Sequence, residues 1–185
     1  MNATAPWALG TSRNAAVGEA ALTGGSCTVG TPVVRVASVS DEPSNAASKF
    51  IRSAGASLSE RGSPPAEEWV RAGLTDDFAY EDRRSGPSFP DADAESFPKI
   101  IESTWQTGAA GRPRIDSETL AVRGERFAAV AVQTDYGNGM RSDYIQVIGL
   151  DATLTMLQRM VDFDRDDVDR AIAELDRQHG QADAS

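Results

Sequence analysis

The chain has one cysteine, Cys27, and one histidine, His179. A lone cysteine excludes an internal disulfide, and so few soft ligands exclude the usual zinc sites, so no metal and no other cofactor is expected. The same scarcity makes a reducing compartment and a cytoplasmic address the expectation. No apolar run approaches the roughly 20 residues of a membrane span. The first 25 residues carry only Arg13 as a positive charge and make a poor secretory signal. Basic side chains are few: 18 Lys and Arg stand against 28 Asp and Glu, for a net charge of −10. That balance opposes nucleic acid and anionic membranes, whose binding needs clustered cations. Glycine-rich phosphate loops and a nucleophile elbow are also absent.

What the chain has most densely is acid after Val161: Asp162, Asp164, Asp166, Asp167 and Asp169 against Arg165 and Arg170. This reads as a solvated helix start, favoured by the positive end of the helix dipole. His179, near a helix end, reads as a surface residue.

A chain of 185 residues suits one buried core plus a tail. Residues 1–44 read as a disordered or loosely attached arm, because Met1 to about Pro32 is mostly small residues that bury too little to offset ordering. A strand over 32–40 (PVVRVASVS) is the exception. The domain proper spans 45–180, and 181–185 form a tail. Ala47, Phe50, Ile51, Ala54 and Leu58 fall at helical spacing over 45–61, with Ser44 or Asn45 as cap and Gly62 as stop. Pro64 and Pro65 open a second helix with Trp69, Val70 and Leu74 inward, ended at Asp76 or Asp77. From Phe78 to Arg83 the pattern alternates, putting Phe78, Tyr80 and Asp82 on one face. Asp93 caps a third helix with Phe97, Ile100, Ile101 and Trp105 inward, provided Pro98 lies in its first turn.

Beyond Gly111 the period becomes two. Strands over 114–122, 126–136, 140–150 and 153–163 are expected to form an antiparallel meander with tight turns. The last helix, 165–178, takes Asp164 as cap and Gly180 as exit, with Val168, Ala171, Ile172 and Leu175 inward. Ala129, Ala131 and either Ile145 or Ile148 leave apolar area on both sheet faces, so a homodimer through the outer face is expected.

This order of elements resembles the cone-shaped α+β cystatin-like fold of SnoaL-like and nuclear transport factor 2-like proteins, a curved antiparallel sheet packed on N-terminal helices, with a C-terminal helix. NAASKFIRSAGASLSERG, DDFAYEDRR, IDSETLAVRGERFAAVAV and, most specifically, FDRDDVDRAIAELD are similar to SnoaL-like units of actinobacterial proteins. The resemblance implies a cavity between sheet and helices, walled by Phe50, Trp69, Phe78, Trp105 and Tyr144 and open to a small apolar molecule.

Two functions follow from the resemblance. One is a non-catalytic small-molecule-binding or association module. The other is a cofactor-independent isomerase, cyclase or dehydratase acting on a ketone-like, polyketide-like or steroid-like substrate. The ketosteroid isomerase branch keeps its base in a stretch similar to DDFAYED, which places that role on Asp82, with Tyr80 or Gln146 as hydrogen-bond donor. Here Arg83 and Arg84 follow the acid where those isomerases have proline, and Phe50 stands nearest to their first-helix tyrosine. The competing role for Asp82 is an ion pair with Arg84 or Arg141. Epoxide hydrolases of the superfamily use Arg-x-Asp with a further Asp. Arg141-Ser142-Asp143 is the nearest match, with Val161 at the further position, and reads better as a solvated charge pair beside a turn. Tyr144 and Gln146 share one strand face, either toward the cavity, where Gln146 needs a partner, or toward solvent.

Overall fold

In the computed structural model the described residues are 42–61, 63–107, 113–137 and 139–184. The expected strand over 32–40, the rest of the arm before Glu42, and Cys27 and Gly62 lie outside them.

Helix α1 (Ala46–Glu60) starts where its pattern predicts, and its cap is Asn45. The Asn45 carboxamide accepts from the Ser48 amide at 2.9 Å while the Ser48 hydroxyl accepts from the Asn45 amide at 3.0 Å. Its Nδ2 then donates to the carbonyls of Gly124 and Phe127, both at 2.8 Å, so the cap also fastens the helix to a sheet turn. Helix α2 (Glu67–Arg71) is shorter than expected, because the chain is already extended at Leu74. Strand β1 (Leu74–Asp82) therefore contains Asp76 and Asp77, which do not end a helix. After the two-residue strand β2 (Ala92–Asp93), Asp93 accepts from the amides of Glu95 and Ser96 and leads into α3 (Phe97–Thr107). Pro98 sits in the first turn, where its missing N–H costs nothing.

Strands β3 (Arg114–Arg123), β4 (Phe127–Asp135), β5 (Arg141–Leu150) and β6 (Leu157–Asp164) form the expected antiparallel meander. The sheet is nevertheless mixed: β1 adds to β6 in parallel, giving the order β2-β1-β6-β5-β4-β3. Helix α4 (Val168–Asp183) starts later and runs further than expected. Gly180 lies within it, Val168 is exposed, and Asp164 accepts instead from the Ser85 amide at 2.8 Å.

Alternation along the strands separates two cores. One face carries Phe78, Tyr80, Ala128, Val130, Val132, Ile148, Leu150 and Met160 and packs on α1, α2 and α3. The other carries Phe127, Ala129, Ile145, Val147, Val161 and Phe163 and is covered by Ala171 and Leu175 of α4. The apolar second face that raised the expectation of a homodimer is thus covered from within the chain; Ile148 belongs to the first face. The result is a curved α+β sheet with helices on both faces.

Candidate functional site

A partly open cavity of about 140 Å³ lies between the first sheet face and helices α1 and α3. Ile51, Leu58, Phe97, Ile100, Trp105 and Met160 give it apolar walls, and Tyr80, Arg84, Tyr136, Tyr144, Gln146 and Asp162 supply its polar part. Three neighbouring strands bring the polar groups together. Tyr80 pairs with Met160 in the parallel β1–β6 ladder, Asp82 pairs with Asp162, and Gln146 faces Asp162 across β5–β6.

Asp162 is the acid at the centre of this group and is only 5% exposed. Its Oδ1 accepts from Gln146 Nε2 at 3.0 Å and its Oδ2 from the Tyr80 hydroxyl at 3.0 Å. Both donors are neutral. Burial pushes the Asp162 carboxyl up to about 7, against the pull of Gln146, the Arg84 charge and Tyr80, with the nearby Asp82 charge adding to the rise. The same surroundings raise the Tyr80 phenol, through burial first and the two carboxylates next.

Asp82 has the opposite fate. Its side chain is fully buried, but Arg84 grips it through Nε at 2.8 Å and Nη2 at 2.5 Å, and the Phe89 amide donates to it at 2.8 Å. Burial alone would raise its proton affinity; the Arg84 and Phe89 hydrogen bonds outweigh burial and hold it below the usual carboxylate range. The Tyr80 hydroxyl stands 3.4 Å from Asp82 Oδ2, so it lies between a carboxylate held ionised and one pushed toward neutrality.

Of the residues singled out in the sequence, Tyr80, Arg84, Trp105, Tyr144 and Gln146 line this cavity. The open question of strand register resolves with Tyr144 and Gln146 facing inward. Phe50 and Trp69 line a separate recess, and Phe78 is packed in the core against Phe97, with ring centroids 5.0 Å apart. Arg141 is not near Asp82; it pairs with exposed Asp143 beside the turn before β5. Asp162 was hidden by the acidic run it opens. The signal that finds it is period two: Met160 and Asp162 share the face of β6 that turns toward the helices. Among the described residues no group of three or more His, Cys, Asp or Glu is placed to hold a metal ion, and no helix is long and apolar enough to cross a membrane.

No family model and no curated protein matches the chain. Among solved structures it is similar to an NTF-2 like protein of unknown function from Pseudomonas aeruginosa, at 17% identity and a TM-score of 0.46, over 64% of this chain and 97% of that one. A domain of unknown function with a cystatin-like fold from Nostoc punctiforme PCC 73102 aligns at 17% identity and a TM-score of 0.42, over 77% and 97%. A protein of the SnoaL-like family from Agrobacterium tumefaciens str. C58 aligns at 13% identity and a TM-score of 0.41, over 52% and 78%. The structural neighbours of this chain thus include SnoaL-like and NTF2-like proteins.

Proposed function

We propose that the protein binds a small, mostly apolar carbonyl compound in this cavity and exchanges a proton with it through Asp162, without a cofactor. The observation that carries this reading is that Asp162, buried in the wall, is held by two neutral donors while the available arginine is committed to Asp82. A carboxylate in that setting is a better base than one in water, and with its proton affinity raised only to about 7 its ionised form stays accessible near neutral pH, as abstraction of a proton beside a carbonyl requires. The carboxylate takes the α-proton, the carbonyl oxygen gains the electron pair of the broken C–H bond, and the same carboxyl returns the proton at a second atom or in exchange with solvent. Asp82, the base implied by the resemblance, is too strongly paired to compete, and its role in this reading is to fix Arg84 and Tyr80.

The second reading is binding alone. What favours it is that both oxygens of Asp162 already accept a hydrogen bond, so the group also serves as a fixed polar end for a ligand. Exchange of the α-hydrogens of cyclohexanone in deuterated water separates the two. The enzyme reading expects protein-dependent exchange that falls at least about a hundredfold in Asp162→Asn, a usual loss on removing a general base, while the ketone still binds. Binding without exchange in the wild type supports the module. Exchange unchanged by Asp162→Asn overturns the assignment of the base.

A further inference from the structure

Beside the first cavity, along the same stripe of α1, lies a second recess of about 90 Å³, with walls from Phe50, Trp69, Val70, Leu74 and Leu157 among others, none of them charged. It shares Ile51, Ala54, Leu58, Ile101 and Met160 with the first cavity. One layer of side chains therefore separates the two spaces. Its members are three α1 positions about a turn apart, Ile51, Ala54 and Leu58, with Ile101 of α3 and Met160 of β6. Met160 has an unbranched, adaptable side chain, and Ala54 contributes little bulk.

The two spaces differ in chemistry. The first has a polar part built on Asp162, whereas the second exposes only apolar surface and contains no group that would orient a ligand by itself. An apolar recess next to a polar-ended cavity, divided from it by a single apolar layer in which Met160 is the most adaptable side chain, has the form of a space for the far end of one ligand. We infer that the occupant is amphipathic and elongated: a carbonyl head beside Asp162 and an alkyl tail that displaces Met160 and lies in the Phe50–Trp69 recess. The head-group part rests on the function proposed above; the tail part rests on the shared wall alone.

The chain carries its own reporters, because Trp105 lines the first cavity and Trp69 the second. The test titrates unbranched methyl ketones of increasing chain length into the full chain carrying Trp7→Phe, together with Trp69→Phe or Trp105→Phe so that one tryptophan remains in each protein. Short ketones are expected to change Trp105 emission only. Longer ones also change Trp69 emission, and their affinity keeps rising by about fourfold per added methylene, the value for burying one CH₂. The affinity series is also measured on the wild type by calorimetry, so the result does not depend on the variants folding. If Trp105 responds, affinity levels off with length and Trp69 stays silent, the second recess is not used, and the inference falls while the proposed function stands. If no ketone of any length binds, both fall together.

Discussion

Asp162 and Asp82 are neighbours across a parallel ladder, yet their surroundings drive their proton affinities apart. The consequence for stability has opposite signs. Asp162 is raised in the folded state, so its contribution is complete below the unfolded carboxylate value of about 3.9 and is lost as pH climbs through about 7. The loss is on the order of 4 kcal/mol. Asp162→Asn should therefore be more stable than the wild type at pH 8 and lose this advantage at pH 4, as urea unfolding at the two values would show. Asp82 is depressed, so it stabilises above its unfolded value and that part is lost as pH falls through the folded one. Asp82→Asn leaves the Arg84 guanidinium, only 14% exposed, without its anion and should cost about 3–5 kcal/mol at pH 7. If catalysis is present, α-hydrogen exchange should rise with pH to a plateau above about 7, since the ionised form of Asp162 is the base.

Individual elements were legible in the sequence where one period dominates. The α1 face, the α3 face and the four-strand meander follow from spacing, because each buries one side and solvates the other. Boundaries failed where a local signal competed with tertiary pairing. Asp76 and Asp77 look like a helix end but lie in β1, whose pairing to β6 decides the backbone there. Gly180 looks like a helix stop, yet α4 continues past it to Asp183. Asp162 was missed for a related reason: charge density suggested solvent, whereas the ladder buries it opposite Gln146. Asn45 belongs at this scale too, since its carboxamide both accepts from Ser48 and donates to two sheet carbonyls. At an ordinary helix start Asp replaces Asn with little effect. Here Asn45→Asp loses both donated bonds and faces two carbonyl oxygens, so a loss of about 2–4 kcal/mol is expected in denaturant titrations. A change below about 0.5 kcal/mol would mean that the link to the sheet adds nothing.

At the scale of the whole molecule, α4 does for the second sheet face what a partner copy was expected to do. Leu175 and Ala171 are completely buried on that face, and Leu175→Ala should cost about 2–5 kcal/mol. Removing the chain after Asp164 should uncover Ile145, Val147 and Phe163 and produce self-association in sedimentation velocity. A truncated protein that remains monomeric and folded would mean that the helix is dispensable as a cover. The parallel union of β1 with β6 also sets the order in which the molecule becomes complete. Tyr80 and Asp162 are 82 residues apart in the sequence but lie on directly paired strands, so they meet only when β1 docks on β6. Such long-range closure is slow in refolding. On the ribosome, the segment through α3 can collapse early, but β1 has its main pairing surface only after residue 164 has emerged. The hydrogen bond from Tyr80 to Asp162 is therefore made late, and any ligand held there recognises only chains in which β1 has already joined β6.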